Sequence, residues 1–328
     1  MYKYMASSSS SPRSSTSSSS SSSPSYFDSV QFKIAQRQRW DSAAPGWKEW
    51  WETLEAGAKK VSARLIELGE ITSGQKILDI ATGIGEPAVT AARKLVDVST
   101  GSSKNNNDYD NTNNRGHVLA TDISSQMLKI AKQRAAATGL QDIIEFREGD
   151  AEMLEIPDSS FDVAVCRWGL MFMPNLTTVL SRILRALVSG GRFVCAVWGE
   201  ASKVPFISFP IDIVMRELQI PPPNPGTPGP FALADIGILL AALHNAGFTS
   251  IHSERLGVTI EFPTVEDYIS YIKSISVPIA DMLSKESEKR QEEVWSLVRE
   301  QVKSNYSSHT NQCVRMDNAC ICVAAKKP

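Results

Sequence analysis

The sequence predicts an α/β fold in which a parallel sheet carries helices on both faces. Apolar runs with the length of buried strands alternate with stretches of helical periodicity in the first two thirds of the chain. In the stretch Lys76–Ala88, an apolar run with the length of a buried strand leads into a glycine loop at Gly83 and Gly85 and then into Pro87, a residue favoured at the first position of a helix. A strand, a glycine turn and a helix in this order form a cradle where a cofactor approaches bare backbone amides.

Asp79, near the end of the first strand, indicates which cofactor the loop favours. Gly83, Gly85 and Ala88 have the spacing of the dinucleotide fingerprint, so the glycines alone do not decide. A pyrophosphate would sit on amides at the helix N-terminus, where a nearby buried carboxylate would repel it. S-adenosylmethionine has no phosphate, and its methionine half carries an ammonium and a sulfonium group. We therefore expect S-adenosylmethionine as the cofactor.

Further predicted strands follow in a fixed order. His117 begins an apolar run that ends at Asp122, whose carboxylate could accept both ribose hydroxyls of an adenosine; an ordinary helix cap before Ser124 is the alternative. Between the first and second strands, the polar, Asn-rich tract at 99–115 is interpreted as a loop insertion. A third strand runs into Asp150, for which a solvated turn is the alternative. A fourth ends at Cys166 and a fifth follows a Gly-Gly turn.

These motifs resemble those of class I S-adenosylmethionine-dependent methyltransferases, beginning with I-L-D-I-A-T-G-I-G. The stretches A-T-D-I-S-S-Q-M-L-K-I-A, G-D-A-E-M-L-E-I-P-D-S-S-F-D and L-V-S-G-G-R-F resemble most the ubiquinone/menaquinone-biosynthesis type, over roughly Trp40 to Ala325. The resemblance implies a Rossmann-like seven-stranded mostly parallel sheet, a late antiparallel hairpin, and a helical acceptor-side cap within residues 200–310. The chain lacks the Arg-Asn pair expected after Gly169-Leu170, and a Pro-rich stretch at 221–230 follows the fifth strand. Both departures lie where acceptors bind.

The resemblance also implies a set of site residues. Asp150 or its neighbour would contact the adenine amino group, and Arg167 either binds the methionine carboxylate, orients the acceptor, or forms a surface ion pair. The predicted cofactor contacts are Asp79, Ala81, Thr82, Gly83, Gly85, Asp122, Ile123, Met127, Asp150, Ala151 and Arg167. A largely apolar acceptor pocket, unless these aromatics are core, is predicted from Trp40, Trp168, Phe172, Trp198, Phe206 and Phe209.

A helix before the first strand is predicted from Trp47 to Leu68, with one apolar face. In the proteins that the chain resembles, such a helix covers the cofactor pocket. Trp40 and Trp47 would then either close over the sulfonium or simply pack the helix on the sheet, and packing is the preferred interpretation for Trp50 and Trp51.

Composition limits the remaining possibilities. A net charge of −2 and a pI near 6.1 argue against a nucleic-acid surface. No apolar run approaches the roughly 20 residues that span a bilayer, which leaves peripheral membrane contact open. Five cysteines without ligand spacing predict no metal site and a reducing compartment. The four histidines show no base signature, so the catalytic residues stay unknown.

The serine-rich segment 1–27 is predicted to be a disordered tail, and residues 28–328 a methyltransferase domain. Its composition also echoes a transit segment, so a cytoplasmic location has a plastid or a mitochondrion as the alternative. The predicted function is methyl transfer to a small, largely apolar acceptor, quinone-like or phenolic, on carbon or oxygen. A nicotinamide-dependent oxidoreductase and a cofactor-binding protein without turnover are the alternatives.

Overall fold

The computed structural model describes residues 28–96, 116–224, 226–308 and 313–328. The predicted disordered tail and the Asn-rich insertion lie outside these residues. Within the described part of the chain no helix is long and apolar enough to cross a membrane.

Seven strands form one sheet in the order β3-β2-β1-β4-β5-β7-β6. The strands are β1 (Lys76–Ile80), β2 (His117–Asp122), β3 (Ile144–Glu148), β4 (Phe161–Arg167), β5 (Leu187–Trp198), β6 (Thr249–Phe262) and β7 (Val314–Lys326). The strands β1 to β5 pair in parallel, whereas β7 is antiparallel to both β5 and β6. The predicted seven-stranded, mostly parallel sheet with a late antiparallel hairpin is confirmed.

Ten α-helices connect and cover these strands in the described residues. They are α1 (Ser29–Glu49), α2 (Trp51–Leu68), α3 (Ala88–Val96), α4 (Ser125–Ala137), α5 (Leu176–Ala186), α6 (Pro205–Glu217), α7 (Ile236–Ala246), α8 (Val265–Ile275), α9 (Val277–Leu283) and α10 (Glu288–Tyr306). The chain moves outward in one direction from β1 to β3 and in the other from β4 to β5. Right-handed crossovers therefore place the helices on both faces of the sheet.

The predicted helix from Trp47 to Leu68 is wrong at its start, because two helices meet at Trp50. The helix α1 was missed: Pro45 lies inside it, the sequence is polar, and little apolar periodicity marks it. Asp28 caps α1, since its Oδ1 accepts the backbone N–H groups of Val30 and Gln31. The short helix α9 was missed as well.

The core lies on both sides of the central strands, where β1 is buried from Ile77 onward. The cysteines Cys166, Cys195, Cys320 and Cys322 are buried and free, and all four lie in strands. No group of residues that could hold a metal ion occurs in the described part of the chain.

The close packing of α2 on β6 positions one wall of the site described below. Gly57 faces β6 so closely that a Cβ atom there would overlap the Thr259 carbonyl oxygen and Cδ1 of Ile260. Glycine is therefore required in this helix by packing, although it is a poor helix former.

Replacing Gly57 with alanine should destabilise the protein even though alanine is the better helix former. Gly57→Ala should lower the free energy of unfolding by about 1–3 kcal/mol, the usual cost of overpacking, even though alanine favours a helix by about 1 kcal/mol. Gly257→Ala is the control, because a Cβ on this β6 residue meets no atom within 4 Å. Urea denaturation of both variants checks this, and a stabilised Gly57→Ala would contradict the close packing.

Candidate active site

The carboxyl ends of β1, β2 and β4 open into one cavity, which α1 and α2 border. The cavity wall includes nine of the eleven predicted cofactor contacts and five of the predicted acceptor residues. These are Ala81, Thr82, Gly83, Asp122, Ile123, Met127, Asp150, Ala151, Arg167, Trp40, Trp168, Phe172, Trp198 and Phe206. Asp79 and Gly85 do not line it, and Phe209 packs instead against Tyr306.

Asp122 ties the end of β2 to the glycine loop and to the start of α4. Its Oδ2 accepts the backbone N–H of Gly83 at 2.8 Å, and its Oδ1 accepts that of Ser124 at 2.9 Å. Burial raises the pKa of Asp122 to about 6, against the effect of these backbone donors. Ser124 is the residue that caps α4, since its hydroxyl accepts the Met127 N–H. Asp122 is therefore not the cap, and its carboxylate borders the cavity.

Asp79 lies behind the glycine loop. It is fully buried, and its Oδ2 accepts the backbone N–H of Ala88 at the first residue of α3. Burial raises the pKa of Asp79 to about 7. Asp79 thus supplies the acceptor that the first N–H groups of a helix need, and it does not line the cavity; its role as a cofactor contact stays a prediction.

The loop itself presents open backbone to the cavity. The Thr82 side chain is 2 % exposed, and its hydroxyl acts on the buried Asp79 carboxylate, whose pKa it lowers against the effect of burial. Gly83 has a φ of 57°, and a Cβ on it would meet no atom within 4 Å. Open backbone at this point leaves room for a ligand to approach the loop closely.

The N-terminal part of α1 closes one rim of the cavity through charged contacts. Lys33 Nζ lies 2.7 Å from Asp150 Oδ2 and 3.1 Å from Glu152 Oε2. Farther along α1, Asp41 Oδ1 accepts the Ser124 hydroxyl at 2.6 Å. Asp150 is therefore part of an ion-paired rim, and it also begins the turn after β3, since its Oδ1 accepts the Glu152 backbone N–H at 2.9 Å.

Four tryptophans of α1, α2 and the residue between them differ in their environments. Trp40 and Trp47 both line the cavity, as the closing interpretation requires, and the Trp40 ring meets Phe172 edge-on at 5.2 Å. Trp50 packs against Phe262 and Tyr271, as predicted. Trp51 also lines the cavity, so the packing interpretation is incomplete for that residue.

Arg167 does not form the surface ion pair that was one of its alternatives. Its Nη1 donates to both carboxylate oxygens of Glu55, at 3.1 and 3.0 Å, and to the Ser62 hydroxyl at 2.8 Å. The two charged side chains are only 10 % and 15 % exposed. Next to it, Trp168 stacks on Trp198 with ring centroids 4.3 Å apart.

Glu55, Glu86 and Lys33 are cavity residues that the sequence analysis missed. Lys33 was missed because α1 was missed. Glu55 carried a signal: it lies four residues after Trp51 and three before Ala58, so it interrupts the apolar stripe of α2. A carboxylate in such a stripe needs a partner, and Arg167 is that partner.

The raised pKa of Asp79 gives the protein a predictable pH dependence. Between about pH 4 and pH 7 the folded protein keeps a proton on Asp79 that the unfolded chain has released, so the free energy of unfolding falls as pH rises. Relative to Asp79→Asn, the wild type should lose at most about 1.4 kcal/mol per pH unit in this window and nothing further above it. Denaturant titrations of both ligand-free proteins from pH 5 to 9 measure the difference; a difference that does not change with pH would rule out a raised pKa.

Comparison with known proteins agrees with this geometry. Residues 96–195 match the family model described as a methyltransferase domain. The demethylmenaquinone methyltransferase of Symbiobacterium thermophilum is 29 % identical over 174 residues, which cover 53 % of this chain and 61 % of the relative. The ubiquinone/menaquinone biosynthesis C-methyltransferase UbiE of Bartonella bacilliformis is 33 % identical over 126 residues, which cover 38 % of this chain and 41 % of the relative. The chain thus spans between two fifths and three fifths of the length of these relatives.

Among solved structures, the phosphoethanolamine N-methyltransferase 2 of Haemonchus contortus, in complex with S-adenosyl-L-methionine, has the same fold. It superposes with a TM-score of 0.54 at 19 % identity, over 90 % of this chain and 60 % of that chain. The similarity in sequence to the curated relatives is thus shorter than the expected Trp40–Ala325, whereas the similarity in fold covers most of the chain. Together the fold, the domain match and the relatives make this chain similar to S-adenosylmethionine-dependent methyltransferases.

Proposed function

We propose that this protein binds S-adenosylmethionine and transfers its methyl group to a ring carbon of a small, largely apolar hydroquinone. The charge of the cavity wall carries the proposal. The wall holds five carboxylates and two cationic side chains: Glu55, Glu86, Asp122, Asp150, Glu152, Lys33 and Arg167. An excess of negative charge suits a ligand with a sulfonium and an ammonium group, and it repels the pyrophosphate of a nicotinamide dinucleotide.

The cofactor would lie along the glycine loop. Gly83 offers open backbone, and Asp122 keeps lone pairs for the ribose hydroxyls beyond the two backbone bonds that it accepts. Trp40 and Trp47 give the cavity aromatic surface near a cationic ligand. When bound, S-adenosylmethionine supplies the methyl group and a thioether leaving group, so the protein has to align the acceptor and exclude water.

The acceptor wall supports an aromatic substrate. Trp168, Trp198 and Phe206 lie on one side of the cavity, and Ile260 of β6 adds an aliphatic side chain. Such a wall favours a flat apolar ring over a sugar or a peptide. The relatives' names add a quinone nucleus and methylation on carbon. A ring carbon attacks a methyl group only when it is electron-rich, so the reduced hydroquinone rather than the quinone would be the substrate.

Calorimetric titration and a transfer assay test this function. The protein should bind S-adenosylhomocysteine but not NAD, and it should move labelled methyl from S-adenosylmethionine to 1,4-dihydroxynaphthalene kept under reducing conditions. Binding of NAD without binding of S-adenosylhomocysteine would indicate that the glycine loop binds a dinucleotide. Binding of S-adenosylhomocysteine without transfer to any hydroquinone would leave the protein a cofactor-binding protein without this acceptor.

Gly83 should be essential for cofactor binding. In Gly83→Val the side chain would fill the space that the cofactor needs beside the loop, so affinity for S-adenosylhomocysteine should be lost. Gly139→Val is the matched control: Gly139 has a φ of 69°, close to the 57° of Gly83, and a Cβ there also meets no atom within 4 Å. The two variants share the backbone strain, and only the first should lose binding in calorimetry. Tight binding by a folded Gly83→Val would contradict the loop assignment.

Asp122 should contribute to the affinity for the adenosine. Asp122→Ala should weaken S-adenosylhomocysteine binding by about 1.5–3 kcal/mol, the range for hydrogen bonds to a charged group. The exposed Asp142, outside the cavity, provides the control variant Asp142→Ala. Calorimetry on both proteins gives the difference, and an unchanged affinity in Asp122→Ala would remove the ribose assignment.

A further inference from the structure

The cavity holds a charged pair that cofactor binding does not explain. Glu55 and Arg167 face each other within the cavity wall, and both are mostly buried. Removing two charges from water can cost more free energy than their mutual attraction returns. A buried ion pair in a wall that faces a ligand therefore suggests a functional role. The pair lies beside the residues assigned to the acceptor wall. The Arg167 guanidinium is 5.1 Å from the centre of the Trp168 ring, and Gly57, in the same helix as Glu55, packs on Ile260.

The other carboxylates of the cavity wall are already engaged. Asp122 accepts two backbone N–H groups at the loop, and Asp150 and Glu152 bind Lys33 at the rim. Glu86 is only 5 % exposed, and it accepts the Thr90 hydroxyl beside Arg134. Glu55 is the cavity carboxylate whose bonds all come from one nitrogen, Nη1 of Arg167. Each of its oxygens therefore keeps a lone pair for another donor.

We propose that Glu55 is the base that removes the hydroxyl proton of the acceptor and that Arg167 stabilises the resulting oxyanion. This rests on the proposed function. The structure records bonds from Nη1 of Arg167 alone, so Nε and Nη2 keep donors for an oxygen of the acceptor in the described part of the chain. A carboxylate and a guanidinium side by side can thus bind one hydroxyl group, the first accepting its proton and the second holding its oxygen.

The electrostatic surroundings of Glu55 suit a base. Burial raises its pKa, Arg167 and Arg134 oppose that rise, and the carboxylate of Glu86 adds to it. A carboxylate with a raised pKa accepts a proton more readily than an ordinary glutamate.

Overall, the methyl transfer releases one proton to solvent. The hydroxyl O–H bond breaks and its proton moves to Glu55, which leaves an electron-rich ring. A ring carbon then bonds to the methyl group as the methyl–sulfur bond breaks, and the sulfur keeps the electron pair. Loss of the ring proton to solvent restores the aromatic ring, and Glu55 returns its proton to the oxygen. The substrate is therefore a phenol or hydroquinone that arrives neutral, so a two-electron reduction of a quinone or a ring hydroxylation must supply it.

Single-turnover methyl transfer in Glu55→Gln tests this role. The assay uses labelled S-adenosylmethionine with 1,4-dihydroxynaphthalene and its chloro-substituted derivatives, whose hydroxyls are more acidic. We expect a loss of about 10²–10⁴-fold with the parent compound, the usual contribution of a general base. The loss should shrink as the hydroxyl becomes more acidic, because an acceptor that ionises by itself needs no base. Glu52→Gln, on the exposed side of the same helix, should behave like the wild type.

Several outcomes would overturn the proposal. An equal loss for every acceptor would indicate that Glu55 only positions Arg167, and no loss would exclude it as the base. A wild type that binds S-adenosylhomocysteine but methylates none of these compounds would exclude the acceptor class and this role with it, whereas absent S-adenosylhomocysteine binding would be the failure of the proposed function itself. If Glu55→Gln does not fold because Arg167 is left unpaired, the double variant Glu55→Gln/Arg167→Met removes that buried charge. In the double variant the loss of rate should also shrink as the acceptor hydroxyl becomes more acidic, and a loss that does not change with acidity would overturn the role.

Discussion

The glycine loop depends on two buried carboxylates that accept its backbone N–H groups. Asp79, at the end of β1, holds the first residue of α3, and Asp122, at the end of β2, holds Gly83. Both lose hydration on burial, and both have a raised pKa as a result. Backbone donors and the positive end of the α3 dipole offset that loss. The loop is thereby shaped before any ligand arrives, so cofactor binding does not have to pay for ordering it.

A small apolar cluster joins α1 to the glycine loop and α4 apart from the main core. Its members are Ala44, Ile84, Met127 and Ile130, with Trp40, Trp47 and Trp51 packed against them. On this side Lys33 and Asp41 add polar contacts. On its other side α1 packs so closely on α8 that a Cβ atom at Gly46 would overlap the Ser274 carbonyl oxygen. Contacts on both sides therefore hold α1 over the cavity.

The sequence predicted the fold well because its signals were local. Buried parallel strands are apolar runs, and the loop after Lys76–Ile80 has its own glycine spacing. Most predicted site residues meet in one cavity because the carboxyl ends of neighbouring parallel strands share an edge. The misses needed tertiary information. The helix α1 has weak periodicity and an internal Pro45, and the direction of the Asp79 carboxylate is set by the unpaired N–H groups of α3. Glu55 became meaningful only once β4 brought Arg167 beside it.

The acceptor side shows how this chain departs from the pattern that it resembles. An Arg-Asn pair is expected after Gly169-Leu170, but Met171 stands there and is buried. A cationic side chain is nevertheless present in the wall, since Arg167 precedes the same glycine at the end of β4. Its position ties it to α2 through Glu55 and Ser62, whereas a residue after the glycine would depend on the short turn at 170–172. A charge fixed between a strand and a helix is held more rigidly than one on a turn, and an acceptor oxygen that must be aligned with a methyl group benefits from that rigidity.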